Sequence, residues 1–300
     1  MNIDYLKAFY TTVKSNSISK AAKKLHLTQP GLSMQIQSLE RELQVSLLNR
    51  SNRGVELTEA GKIVFNYSDT ILSLKDNLER DLENLKTNKR QLSIGACKAI
   101  GEYALPCSIY VYKQDNENVD INLQISNTKD VIQNLINRTV NIGIIHSNVE
   151  SPQLNIQKIT SDNLVLVTSL PLVKDKISIS ELINLPLIFR EKGSGTRYTI
   201  EEDLNKHGIS SNDLNIVYEL NSMEAIKSSV IAGKGMAFIP EMSVKRELYN
   251  GTLKEIVIEE LQIVSDFSVA YMKNTELSPC ERDFIKFIKS SKRGFCQEDF

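Results

Sequence analysis

Between Glu59 and Lys89 the chain carries no proline and one glycine, Gly61. Apolar residues recur at Val64, Tyr67, Ile71, Leu74, Leu78, Leu82 and Leu85, in steps of three or four. This draws one stripe along a helix of about thirty residues, near a heptad seam but drifting toward the 3.6 repeat of a straight helix. Lys75, Asp76, Glu79, Arg80, Asp81 and Glu83 flank the stripe with charge. Such a helix packs its stripe on its own chain or on a second copy, and its length without internal caps favours the second copy. Either way it splits the chain into a head over 1–60, a connector over 61–89 and a body over 90–300.

The split gives meaning to the charge. The 300 residues hold 36 Lys+Arg against 37 Asp+Glu, a net of −1, which on its face speaks against a nucleic-acid coat protein. Residues 1–60, however, hold eight basic and five acidic side chains, a net of +3, leaving −4 for the other 240. A basic head on an acidic body hints at nucleic-acid contact by the head alone. Other classes drop out. No run reaches the ~18 apolar residues of a membrane helix, and the first residues lack the apolar core of a secretory signal. Cys97, Cys107, Cys280 and Cys296 show no CxxC spacing, and His26, His146 and His207 lie apart from them. No metal site or cofactor is therefore expected, and a reduced, cytoplasmic chain fits the pattern.

Within the head, residues 4–14 read as a helix with Leu6, Phe9, Tyr10 and Val13 on one face. Asn16-Ser17 breaks the pattern, and Ser17 can cap a second helix over 18–25 with Ala21, Ala22 and Leu25 inward. After the short turn His26-Leu27, Thr28 can cap a third helix that carries Pro30 early and runs to about Leu43. Small alanines, a tight turn and a proline-started helix form the helix-turn-helix pattern. The outer face of the third helix presents Gln29, Ser33, Met34, Gln35 and Gln37. Gln and Ser can bond base edges or phosphates in a major groove, though a solvated polar face is the plain alternative. Lys20, Lys23 and Lys24 before it supply phosphate partners. Residues 49–54 look like a hairpin tip, placing Arg50 and Arg53 where a wing would reach backbone or minor groove.

These residues carry a resemblance. Phe9, Ala21-Ala22, Leu25, Thr28-Gln29-Pro30, Ser33, Ile36, Leu39-Glu40, Leu47, Arg50 and the closing Leu57-Thr58-Glu59-Ala60-Gly61 recur at fixed spacing over residues 5–61. The stretch resembles the winged helix-turn-helix of LysR-type transcriptional regulators. The resemblance implies double-stranded DNA as partner and a homodimer or homotetramer joined through the connector. Candidate DNA contacts are Ser17, Lys20, Lys23, Thr28, Gln29, Pro30, Ser33, Gln35, Arg50 and Arg53.

The body alternates short apolar runs with helical stretches. Strands are expected over 92–96, 121–125, 142–145, 164–168, 187–189, 216–220, 236–239 and 268–272. Helices are expected over 102–113, 129–138, 196–207, 223–232, 242–248 and 279–290. The alternation predicts α/β architecture with mostly parallel sheets, and ligands beyond the carboxyl ends of strands. Four loops then matter: 97–101, 126–128, 190–197 and 221–222. In the third, two glycines allow a backbone nest, Ser194 and Thr196 offer hydroxyls, and a helix N-terminus follows. That combination favours an anion, to which Arg197 can add a charge-assisted bond. A glycine turn with ordinary caps is the competing reading.

The body resembles the effector domain of the same family, through Ile94-Gly95-Ala96 with Leu105-Pro106, Asn127-Thr128 with Ile142-Gly143-Ile144, residues 190–197, and residues 232–240. The resemblance implies an all-α-rich winged helix-turn-helix head plus an α/β effector domain of periplasmic-binding-protein type. Two Rossmann-like subdomains would flank a cleft, one over about 90–162 and 266–300, the other over about 163–265. The Gly-Ser-Gly-Thr-Arg loop is most similar to the branch with regulators of sulfur assimilation and carbon fixation, whose effectors are small anions or phosphorylated metabolites. Effector contacts are expected at Cys97, Lys98, Ala99, Ile100, Asn127, Thr128, His146, Ser194, Gly195, Thr196, Arg197 and Asn221. Cys97, Lys98 and Ala99 replace hydroxyls common in the family, which suggests a more anionic effector. The leading expectation is a DNA-binding regulator gated by a small anionic metabolite. The alternative is a cytoplasmic solute-binding or redox-sensing protein on the same fold, with Cys97 as the redox candidate. No catalytic constellation is evident, so no enzyme is expected.

Overall fold

The computed structural model describes residues 1–51, 54–87, 90–147, 149–171 and 174–295. Two compact units form, one of Met1–Thr87 with Asn137–Thr139, the other of Asn88–Ile136 with Val140–Phe300.

In the first unit, α1 (Ile3–Ser15) ends where Asn16 takes the left-handed conformation at φ 44°. In α2 (Ile18–Lys24) the Ser17 side chain accepts from Lys20 N, and in α3 (Gln29–Leu43) the Thr28 side chain accepts from Gly31 N, with Pro30 in the first turn. Each cap satisfies an N–H that the helix itself leaves unpaired, worth about 1 kcal/mol. Leu6, Phe9, Ala21, Ala22, Leu32, Ile36, Leu39 and Leu47 are buried together, and the alanines let α2 approach its neighbours. A hairpin follows, β1 (Leu48–Ser51) against β2 (Gly54–Leu57), antiparallel with Leu48 opposite Leu57. Two side chains tie it down: Glu40 accepts from Leu47 N at 2.7 Å, and Asn16 accepts from Val55 N at 3.2 Å. The helix α4 (Glu59–Thr87) then runs unbroken. Val64, Phe65 and Ile71 pack onto the head core, while Tyr67 (67 %) and Leu78 (60 %) stay exposed, as do Leu74 and Leu82. The expected stripe is therefore shared between the head and an uncovered remainder.

The second unit begins with β3 (Arg90–Cys97), α5 (Lys98–Tyr103), α6 (Leu105–Asp115), β4 (Val119–Ser126), α7 (Thr128–Ile136) and β5 (Ile142–His146). It continues with β6 (Leu154–Thr168), β7 (Lys176–Ile177), α8 (Ile179–Leu182), β8 (Leu187–Arg190), α9 (Gly195–Lys206), β9 (Ile216–Leu220) and α10 (Met223–Ile231). It closes with β10 (Ala237–Pro240), α11 (Lys245–Tyr249), β11 (Lys254–Ile258), β12 (Ile263–Met272) and α12 (Pro279–Lys289). The expected helix over 102–113 is two helices, because Pro106 enters in the first turn of α6 and restarts the chain there. The stretch 242–248 likewise divides into a short 3₁₀ turn at Glu241–Ser243 and α11.

The expectation of mostly parallel sheets needs correction. Parallel pairing holds for β3 with β4 and β5, and for β8 with β9. The long strands β6 and β12 instead pair antiparallel along nearly their whole length, and β10 and β11 add antiparallel to β6. The result is one mixed sheet in the order β4-β3-β5-β12-β6-β11-β7, with β10 also on β6 and a separate β8-β9 pair. Because β6 and β12 are shared, two lobes hang on one strap. Lobe I gathers Leu92, Ile94, Ile142, Ile144, Phe267 and Phe284 in its core. Lobe II gathers Leu166, Leu187, Phe189, Ile200, Met236 and Phe238 around one side of its strands and Val167, Ile226, Val230 and Ile239 around the other. Among the described residues no helix is long and apolar enough to cross a membrane.

Candidate functional site

In the head, most of the residues of interest lie on α2 and α3 or at their caps. Lys20, Lys23, Thr28, Gln29, Pro30 and Met34 are exposed, and Ser17, Ser33 and Gln35 are half-buried. Ser17 and Thr28 spend their side-chain oxygens on helix caps. Ser19 donates to Gln29 Oε1 at 3.0 Å. Arg50 lies in β1; Arg53 lies outside the described residues. Three lysines or more beside an exposed helix N-terminus suit the phosphates of a duplex, and the polar side chains of α3 suit its base edges.

In the body, the carboxyl ends of four parallel strands meet between the lobes: β3 at Cys97, β5 at His146, β8 at Arg190 and β9 at Leu220. Helices α7 and α9 start there, from opposite lobes, with Thr128 and Gly195 as their first residues. They abut so closely that a Cβ on Gly195 would lie 2.7 Å from Thr128 Oγ1 and 2.5 Å from His146 Cγ. Glycine is the residue that fits. Ahead of it Gly193 turns the chain at φ 90°, and Ser194 caps α9 by accepting from Arg197 N. A cleft of about 510 Å³ opens beside this contact, lined by Thr128, Lys129, Ile132, His146, Lys192, Ser194, Gly195 and Tyr198 among others.

Two polar groups in the cleft are unusual. The Thr128 hydroxyl is buried with no hydrogen-bond partner among the described residues. His146 is buried with Nδ1 2.7 Å from Ser265 Oγ and Nε2 3.5 Å from Thr196 Oγ1. Burial, with the positive charge of Arg190 added, lowers its pKa from 6.5 to about 3, so the ring is neutral near pH 7.

The remaining expected contacts distribute differently. Lys98 of lobe I reaches lobe II, donating to Asn221 O, with Glu191 Oε1 at 3.9 Å. Asn127 uses its Oδ1 to accept from Asp130 N at 2.8 Å as a cap of α7. Ala99 and Ile100 point into the lobe I core, because α5 packs that face inward. Cys97 is a free buried thiol pushed up to about 12 by desolvation, which keeps it protonated and removes the thiolate a redox sensor needs. Cys107 is disulfide-bonded, against the expectation of reduced cysteines throughout. Arg197 is committed to structure. Its Nε donates to Glu201 at 2.7 Å, its Nη1 to Arg190 O at 3.0 Å, and Glu219 lies 2.6 Å from Nη1. Arg197 lines the cleft with its guanidinium held by two carboxylates of its own lobe. The signal was present in the sequence, as Glu201 follows four residues later on the same helix face.

Arg190 and Glu191 escaped the sequence reading as individual contacts. Arg190 is 3 % exposed, and Glu191 takes it in a two-pronged pair, Nε to Oε2 at 2.8 Å and Nη2 to Oε1 at 3.1 Å.

Head and two-lobed cleft together define a transcriptional regulator with a DNA-reading domain and a ligand-sensing domain. Residues 3–62 match the bacterial regulatory helix-turn-helix protein, lysR family, and residues 86–293 match the LysR substrate binding domain. The chain belongs to the LysR family of transcriptional regulators. It is 32% identical over 297 residues to a probable RuBisCO transcriptional regulator of Phaeodactylum tricornutum, covering 97% of each chain. Its fold matches the full-length LysR-family regulator CbnR in complex with target DNA, with TM-score 0.75 and 20% identity over 96% of this chain and 99% of that one. It also matches the CcmR regulatory domain of Synechocystis PCC6803 in complex with 2-PG, with TM-score 0.61 and 24% identity over 67% of this chain and 96% of that one.

Proposed function

We propose that this LysR-type regulator binds a small anionic metabolite between its lobes and reads duplex DNA with the exposed face of α2 and α3. The observation that carries the sensing half is the Thr128 hydroxyl, buried and unpartnered among the described residues where the N-termini of α7 and α9 converge. An unpaired buried hydroxyl costs free energy unless something bonds it, and two facing helix N-termini favour a negative charge beside it. Lys129 and Lys192 on the same cleft add to that preference. The relative CcmR, bound to 2-PG, makes a phosphorylated carboxylate of this size a sensible first probe. Lys20, Lys23, Gln29, Pro30, Ser33 and Gln35 are the head's contacts in this reading, with Arg50 and Arg53 on the wing. In this reading the protein works in the cytoplasm as a homodimer or homotetramer, since the uncovered part of the α4 stripe suits a second copy. Ligand binding favours one arrangement of the lobes to the extent that its affinity differs between them.

The test is a melting curve of the full chain with 2-phosphoglycolate, phosphate and sulfate. A ligand at a hundredfold its Kd stabilises by about 2.7 kcal/mol, a shift of several degrees. Thr128→Val should keep the apo melting temperature and lose most of that shift. No shift with any small anion, together with operator binding indifferent to all of them, removes the anionic-effector reading.

A further inference from the structure

We propose that Glu191 is a built-in competitor where the two lobes meet: its carboxylate fills the oxyanion position formed by Arg190 and Lys98, so that only an oxyanion stronger than a carboxylate gains these cations. The inference rests on the reading of the cleft as an anion site and adds the residue that sets its charge class.

Adjacent residues of a strand send their side chains to opposite faces. Arg190 is the last residue of β8, and the backbone turns directly after it, with Glu191 N donating to Leu220 O at 3.1 Å and Ser194 N donating to Glu191 O at 3.2 Å. The turn swings Glu191 back onto its neighbour, which an extended chain forbids. Among the described residues, Glu191 is the side chain that hydrogen-bonds the Arg190 guanidinium. The pair is lopsided in burial: side-chain exposure is 3% for Arg190 and 21% for Glu191. The cation is fixed and the carboxylate can swing to water. The position is also bipartite, because Arg190 belongs to lobe II and Lys98, 3.9 Å from the same carboxylate, to lobe I. Glu102 adds a second nearby carboxyl that both cations act upon.

A planar fork holding a carboxylate through two hydrogen bonds presents equally well to two oxygens of a phosphate. A phosphate ester carries more charge and a third oxygen, which Lys98 can take. A simple monocarboxylate offers only what Glu191 already offers. Displacing Glu191 then lets one ligand group hold both lobes, a contact that exists in the closed arrangement alone.

Inorganic phosphate is the probe, titrated against the full-length protein and its Glu191→Gln and Glu191→Asp variants, with thermal melting as readout. Without phosphate, Glu191→Gln should melt below the wild type, since it leaves a buried guanidinium unpaired. Phosphate should restore it, with half-maximal stabilisation at about ten-fold lower concentration than in the wild type. Glu191→Asp, whose shorter arm loosens the pair, should fall between, and it carries the test should Glu191→Gln not fold. Adding Arg190→Gln to either variant should erase the gain. Equal or weaker phosphate response in both variants, or a gain that survives Arg190→Gln, overturns the proposal while the anion reading of the cleft stands. A gain in the variants with no organic anion stabilising the wild type leaves the competitor in place and removes the metabolite reading. No response to phosphate in any of the proteins overturns both.

Discussion

Gly195→Ala isolates the closest approach between the two lobes. The added methyl lies 2.5 Å from His146 Cγ and 2.7 Å from Thr128 Oγ1, against an ordinary contact that begins at 3.4 Å, a shortfall of about 0.9 Å. Neither neighbour can give way easily. His146 is held by Ser265 and packs against Phe267 with ring centres 4.7 Å apart and the planes tilted by 44°, and Thr128 is the first residue of α7. The lobes themselves must part. Overpacking of this kind costs about 1–3 kcal/mol. In a body of about 200 residues each kcal/mol moves the melting temperature by about 2–4 °C, so the variant should melt about 2–12 °C lower. Any ligand that needs the lobes closed should bind about five- to 150-fold more weakly. Calorimetry of the melt, followed by titration with 2-phosphoglycolate, reads both effects. A variant that melts with the wild type and binds equally refutes the argument, because it shows that the α7–α9 contact is slack.

Other consequences can be measured directly. Unfolded His146 takes up its proton near its ordinary 6.5, while the folded ring resists down to about 3. Stability present above pH 6.5 is therefore lost as pH falls through that window, and His146→Leu should flatten this limb of a denaturation-versus-pH curve. Leu78→Glu puts a charge in the exposed stretch of the α4 stripe and should shift the assembly toward monomer in sedimentation, with the head's fold unchanged by circular dichroism. Lys23→Ala should weaken binding to all duplexes alike and reduce the salt slope by about one, as measured by fluorescence anisotropy across salt concentrations.

The head was legible because its determinants are local. Ser17, Thr28 and Pro30 each act within four residues of where they stand, and the alanines of α2 announce a close helix crossing. The body was legible strand by strand and misread as a sheet. Val264 and Asn163 pair across about a hundred residues of chain, and no local pattern specifies that the 154–168 and 263–272 runs are partners, or antiparallel ones. The short strands β11 and, at the sheet edge, β7 left no periodic signal for the same reason. In the cleft, the loops that gather Thr128, His146, Ser194 and Gly195 could be picked out by their place after strands. That the Arg197 guanidinium on this cleft would be held by Glu219 as well as Glu201 could not, since Glu219 arrives from a strand distant in sequence.

The strap of β6 and β12 has one irregularity, a register shift at Phe267/Ser268 that leaves Ile159 without a cross-strand partner between Lys158 and Thr160. A bulge concentrates twist at the place where it occurs. On either side the ladder is continuous, so each lobe is stiff up to this point, and compliance is confined to it. The strap therefore carries its torsional joint at this point, set by backbone count and not by any side chain in the cleft. Substitutions around the ligand can alter how firmly the lobes are drawn together. The axis about which they turn is inherited from the strap and stays the same whatever binds.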